Sequence, residues 1–224
     1  MGLSSTVHDK SSRSAHDTRQ AQVGKESTLD IYGALAENLY LSDVSTDITE
    51  RIGRIIIENY GISADIAEER WGRDEMHDAL APFRRAEIET ALLSLRGIAP
   101  GRVQVESVPN SLRNAYHREV HAGRVSITQS KVDAPRGPIR EARFRATLAV
   151  RSQQSFDLLG DEPEPTLDAL LWASFVHMPS DRPDLPAFVR VAFPFPDGSW
   201  EHSVNLYDFV PALRGYAESE TLIQ

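Results

Sequence analysis

A chain of 224 residues has room for one large domain, and a 41% hydrophobic composition supplies its core. It carries 33 acidic against 24 basic side chains, a net charge of −9, and no cysteine. Disulfides, thiolate metal sites and a cysteine nucleophile are therefore excluded. No apolar run reaches the ~18 residues that span a bilayer, and no apolar secretory-type segment opens the chain, so it reads as cytoplasmic with no membrane partner.

Residues 1–26 are polar, with almost no large apolar side chains, and read as a disordered tail. Residues 27–97 read as a helical lobe. Ser27 and Asp30 have the spacing of a capping box, followed by Ile31, Leu35 and Leu39 on one face. A second helix opens near Thr46, carries Ile48, Ile52, Ile55 and Ile56, and stops at Gly61. A third begins after Ser63. A fourth has Pro82 in its first turn and runs through Ile88, Leu92 and Leu95 to Gly97. Residues 59–80 have the outline of a DNA-binding helix-turn-helix. Asp74, Glu75 and Asp78 would repel phosphates there, so a packed helical hairpin is the better reading.

From residue 98 to 224 the pattern changes to that of a sheet domain. Val103 with Val105, and Val125 with Ile127, alternate with polar neighbours as strand residues do. Between these strands, Ser111 to Ala122 reads as a helix with Leu112, Tyr116 and Val120 on one face, closed by Gly123. Ala142 to Arg151 alternates apolar residues with arginine or threonine and reads as a half-buried strand. Leu170 to Met178 is apolar on both faces, as a central strand is. Asp197-Gly198 lies between the apolar runs Ala187–Phe193 and Trp200–Leu206, a hairpin signal, and a short helix follows Asp208. The expected fold is α+β, an N-terminal helical lobe packed on a mostly antiparallel sheet of about five or six strands as one structural unit.

Charge is unevenly spread. Residues 102–151 hold 10 basic and 4 acidic side chains, while residues 26–101 hold 7 and 15 and residues 152–224 hold 3 and 12. Internal neutralisation of the basic block is the plainer reading. The sharper one is a basic face for an anionic partner. On the predicted strand, Arg143, Arg145 and Arg151 share a face suited to an anion. On the predicted helix, Arg113, His117 and His121 form a cationic stripe that extends it. The favoured expectation is therefore a non-enzymatic binding protein without cofactor. Its partner would be nucleic acid or an acidic protein surface, including the acidic lobe of a second copy in a homo-oligomer. A third reading needs no ligand and buries the arginine face against carboxylates of the lobe.

The enzymatic alternative is a small nuclease acting on phosphodiesters. Without metal, His117 and His121 would serve as general base and acid, with arginine stabilising the charge that develops on phosphorus. With Mg²⁺, Glu106 would ligate the ion and Lys131 would steady the attacking water. Gln129-Ser130-Lys131 resembles the Gln-x-Lys strand triplet of metal-dependent nuclease cores. The aromatic side chains of the C-terminal half read as sheet core, with His177 and His202 facing each other across neighbouring strands. A Gly-rich phosphate loop, a Gly-x-Ser-x-Gly elbow and a dinucleotide fingerprint are all absent from the sequence.

Overall fold

The computed structural model describes residues 31–98, 101–109, 116–140, 143–154, 156–157, 164–165 and 170–214. The polar stretch 1–26 and the capping box at Ser27 and Asp30 lie outside them. Helix α1 (31–43) buries Tyr32, Ala36, Leu39 and Tyr40, whose spacing puts them on one face. Ser45 then accepts a hydrogen bond from Ile48 N at 3.4 Å and caps α2 (Thr46–Ala91).

Helix α2 corrects three expectations. It runs through Gly61 and Ser63 without a stop, because Tyr60, Ser63 and Ala64 are buried there and outweigh the ~1 kcal/mol propensity cost of one interior glycine. Its break comes at Gly72 (φ 75°, ψ 166°), a backbone conformation that side-chain-bearing residues avoid. Pro82 lies well inside the second arm and not in a first turn. Beyond Gly72 the helix folds back. Ala67, Met76 and Leu80 cluster, and the Trp71 and Phe83 rings meet edge to face at 6.0 Å. The segment is a helical hairpin, continued by a 3-10 turn, Leu92–Gly97.

The sheet contains β1 (Val103–Pro109), β2 (Tyr116–Ala122), β3 (Val125–Lys131), β6 (Leu171–Pro179), β7 (Pro186–Ala192) and β8 (Ser203–Asn205), side by side in that order. A separate two-residue ladder joins β4 (Phe156–Asp157) to β5 (Glu164–Pro165). Every neighbouring pair in the main sheet is antiparallel except β3 with β6. The fold is α+β, with an N-terminal helical region ahead of a six-stranded, mostly antiparallel sheet. β6 is buried on both faces from Leu171 to His177, as its unbroken apolar run implied. A short helix α4 (Leu206–Phe209) and a 3-10 turn at Pro211–Leu213 follow β8. Among the described residues, no helix is long and apolar enough to cross a membrane.

Two expected elements change type. The stretch read as the Ala142–Arg151 strand forms helix α3 (Arg143–Gln154). Parallel strands cannot be joined by a tight turn, and α3 belongs to the crossover that carries the chain from β3 to β6. Ala, Arg and Leu are strong helix formers, and the buried pair Ala149 and Ser152 is spaced as a helix face. The stretch read as the Ser111–Ala122 helix is strand β2 from Tyr116 onward, and Gly123 with Arg124 makes its hairpin turn to β3. Residues 111–115, Arg113 among them, lie outside the described residues.

The main core lies between the helices and the inner sheet face, where Val105, Val120, Ile127, Phe175 and Val191 meet Leu39, Ile52, Ile56 and Ile88. A smaller core on the outer face joins Val176 and Phe188 to Val132, Ile139 and Trp200.

Candidate functional site

The β2–β3 ladder pairs Ala122 with Val125, His121 with Ser126 and Val120 with Ile127, and goes no further. β2 remains paired with β1 as far as Tyr116, and β3 with β6 as far as Lys131. The sheet therefore forks, leaving backbone groups of Arg118 and Gln129 without a partner strand. Glu89 of α2 enters from the inner side. Its Oε2 accepts from Arg118 N at 2.5 Å and its Oε1 from Gln129 Nε2 at 2.8 Å. Arg145 of α3 closes the fork from the outer side. Its Nη2 donates to Gln129 O at 3.3 Å and its Nη1 to Arg140 O at 2.7 Å. A carboxylate and a guanidinium thus replace the missing rungs of the ladder.

From the fork a chain of buried polar groups runs under the sheet. Gln129 Oε1 lies 2.9 Å from His177 Nε2, and His177 Nδ1 lies 2.8 Å from the Tyr60 hydroxyl. The Arg84 guanidinium stacks 3.8 Å from the centre of the Tyr60 ring and donates to Pro183 O at 2.5 Å. Glu89, Gln129, His177, Tyr60 and Arg84 are each at most 6% exposed. Burial, reinforced by Arg84 and Lys131, pushes the His177 pKa down to about 3, so the ring is neutral. Gln129 spends its amide N–H on Glu89 and must accept from His177 through Oε1. The His177 proton therefore sits on Nε2, and the Tyr60 O–H donates to Nδ1. Burial raises the Tyr60 pKa, which keeps that proton in place. Burial also raises the Glu89 pKa, against the pull of Gln129, Arg118 N, Arg85 and His117.

Arg145 is crowded by like charge. Burial and the neighbouring Arg85 and Arg140 push its pKa down to about 10, with Glu89 acting in the other direction. Arg85 stands one helical turn before Glu89 on α2, and Arg140 lies on the segment ahead of α3. Both are exposed, and neither guanidinium makes a hydrogen bond or ion pair with the described residues. The mouth of the fork thus gathers Arg85, Arg140 and Arg145 from three segments, beside a carboxylate whose two oxygens each already accept a hydrogen bond.

The expected site residues are redistributed. Arg143, Arg145 and Arg151 do not line a sheet face, since all three lie on helix α3. Arg145 is built into the fork and Arg151 is exposed near the end of the helix, while the Arg143 side chain lies outside the described set. His117 and His121 share the outer face of strand β2, with Glu119 between them. His117 Nε2 lies 2.9 Å from Glu119 Oε1, and His121 Nε2 lies 3.9 Å from Glu119 Oε2. His121 Nδ1 is also 3.0 Å from Ser126 Oγ. Glu106 is the cross-strand partner of Glu119 on this outer face. Lys131 pairs with His177 on the opposite face and bonds Asp133 at 2.8 Å. The structure therefore does not bring Glu106 and Lys131 together. His177 and His202 do not face each other either, because His202 meets Glu37 of α1 at 2.5 Å.

Among the described residues, no three His, Asp or Glu side chains are grouped so as to hold a metal ion. No protein-family model, curated protein or solved structure matches this chain. Sequence reasoning missed Tyr60, Arg84, Arg85, Glu89 and Arg140. One usable signal was present: Glu89 interrupts the apolar stripe of Ile88 and Leu92, and Gln129 follows an apolar strand start. Buried polar residues in such positions need partners.

Proposed function

We propose that this is a cytoplasmic, non-enzymatic binding protein whose anionic partner is engaged at the mouth of the fork by Arg85 and Arg140, with Arg145 as the buried base of the site. The observation that carries this reading is the pair of exposed guanidinium groups, making no hydrogen bond or ion pair with the described residues, beside a third that the fold already holds against its own charge. Guanidinium forks match phosphate and carboxylate oxygens two at a time. The anion would come from nucleic acid or from an acidic protein surface, a second copy included.

The test is fluorescence anisotropy at low salt with labelled single-stranded nucleic acid and, separately, a poly-glutamate peptide. The double variant Arg85→Ala/Arg140→Ala should bind the true partner class at least ~10-fold more weakly, with a shallower salt dependence. Arg151→Ala should bind as the wild type does. Failure of both polyanions to bind the wild type at low salt would sink the proposal.

A phosphodiester nuclease is the second reading, favoured by one observation: His117 and His121 share a strand face and one carboxylate. Metal-free cleavage would persist in EDTA and vanish in His121→Ala. The Mg²⁺ version draws no support from residues that sit on opposite faces of the sheet.

A further inference from the structure

Glu89 is the carboxylate that bonds both arms of the fork, and it occupies the field that an incoming anion would enter. It is 6% exposed, and groups from every surrounding element address it: Arg85 from α2, His117 and Arg118 from β2, Gln129 from β3 and Arg145 from α3. An anion held by Arg85 and Arg140 withdraws positive potential from Glu89 and adds negative potential beside it. Both changes favour the protonated acid.

Glu89 can take up that proton in place, because a protonated carboxyl keeps lone pairs for the Arg118 N–H and the Gln129 amide N–H that it already accepts. We propose that anion binding at the fork is coupled to the uptake of one solvent proton by Glu89. The protein would then hold its partner more tightly as pH falls. This inference rests on the anion-binding reading above and adds its regulation.

Sulfate is the probe, since it keeps both charges throughout the working range. Calorimetric titration of the whole chain in paired buffers of different ionisation enthalpy, between about pH 5 and 8, counts the protons taken up. The expected result is up to one proton per sulfate and an affinity that rises toward ~10-fold per unit fall in pH. Glu89→Gln should bind with no pH slope and more tightly than the wild type at the alkaline end.

Sulfate binding without net proton uptake would overturn the coupling. A slope that survives Glu89→Gln but disappears in His117→Asn would also overturn it, by assigning the proton to the histidine. The wild-type proton count stands alone if Glu89→Gln fails to fold. Polyanion binding that depends on Arg85 and Arg140 without proton uptake would defeat only this inference. Absence of all anion binding would defeat the functional reading as well.

Discussion

His177 joins helix α2 to the middle of the sheet through two hydrogen bonds, to Tyr60 at 2.8 Å and Gln129 at 2.9 Å. Replacing it with Leu keeps the volume roughly constant but strands a hydroxyl and an amide carbonyl inside the protein. Each orphaned group costs about 1–3 kcal/mol, so His177→Leu should lose about 2–5 kcal/mol in urea denaturation at neutral pH. The acid side carries a second signature. Burial holds the His177 pKa down to about 3 in the folded chain, against an ordinary histidine value of 6.5. Between those values the unfolded chain binds a proton that the folded chain refuses. Wild-type stability should therefore fall as pH drops below about 6.5 and continue falling toward about 3. The Leu variant starts lower but should lack this component of the slope. Equal slopes in the two proteins would show that the ring is not held neutral.

At the scale of elements, the hairpin turn between β7 and β8 offers a sharp test. Gly198 sits at φ 80°, and a Cβ placed there would lie 2.5 Å from the Ile139 carbonyl oxygen, a backbone atom that cannot turn aside. Left-handed strain and overpacking together predict a loss of about 2–4 kcal/mol for Gly198→Ala, read as a lower urea midpoint with unchanged slope. This turn was legible in the sequence because Asp-Gly between apolar runs has one common use. The β1, β3 and β6 strands were legible for a similar reason, since their valine, isoleucine and aromatic content fits a pleated surface. Residues 142–151 misled because their apolar and arginine positions satisfy both a two-residue and a 3.6-residue period. What decides between them is the parallel pairing of β3 with β6, a fact about strands about 40 residues apart. β2 misled in the opposite sense. Tyr116 and Val120 fit a helical stripe, yet Val120 and Ala122 enter the core as alternate strand residues. The fork as a site was not legible beyond the polar residues Glu89 and Gln129 in apolar settings, because Glu89, Gln129 and His177 are distant in the chain and meet only through the fold.

For the molecule as a whole, the basic middle of the chain divides between neutralisation and surplus. Arg124, at the β2–β3 turn, is fully engaged by Asp43 at the end of α1. Its Nε and Nη2 reach the two carboxylate oxygens at 2.9 and 2.8 Å, and its backbone N–H adds a third bond at 2.8 Å. This clamp ties the helical lobe to the sheet, as the internal-neutralisation reading requires. Among the described residues, Arg85 and Arg140 have no such carboxylate clamp, which is why we place the surplus at the fork. The two kinds of arginine should respond differently to substitution. Arg124 holds the Asp43 carboxyl well below the usual carboxylate range. The clamp's stabilisation is thus present above about pH 4 and is lost as pH falls through that depressed value, where the folded chain finally takes up the proton. Arg124 is 42% exposed, so salt screens part of the attraction and Asp43→Asn should cost only about 1 kcal/mol at neutral pH. Thermal melts should show this loss shrinking in ~1 M salt and vanishing at strongly acidic pH, with anion binding unchanged. The Arg85→Ala/Arg140→Ala variant should do the reverse, keeping the melting temperature within ~1 °C of wild type while losing the anion. A double variant that melts well below wild type would mean that these two arginines neutralise the fold and do not face a partner.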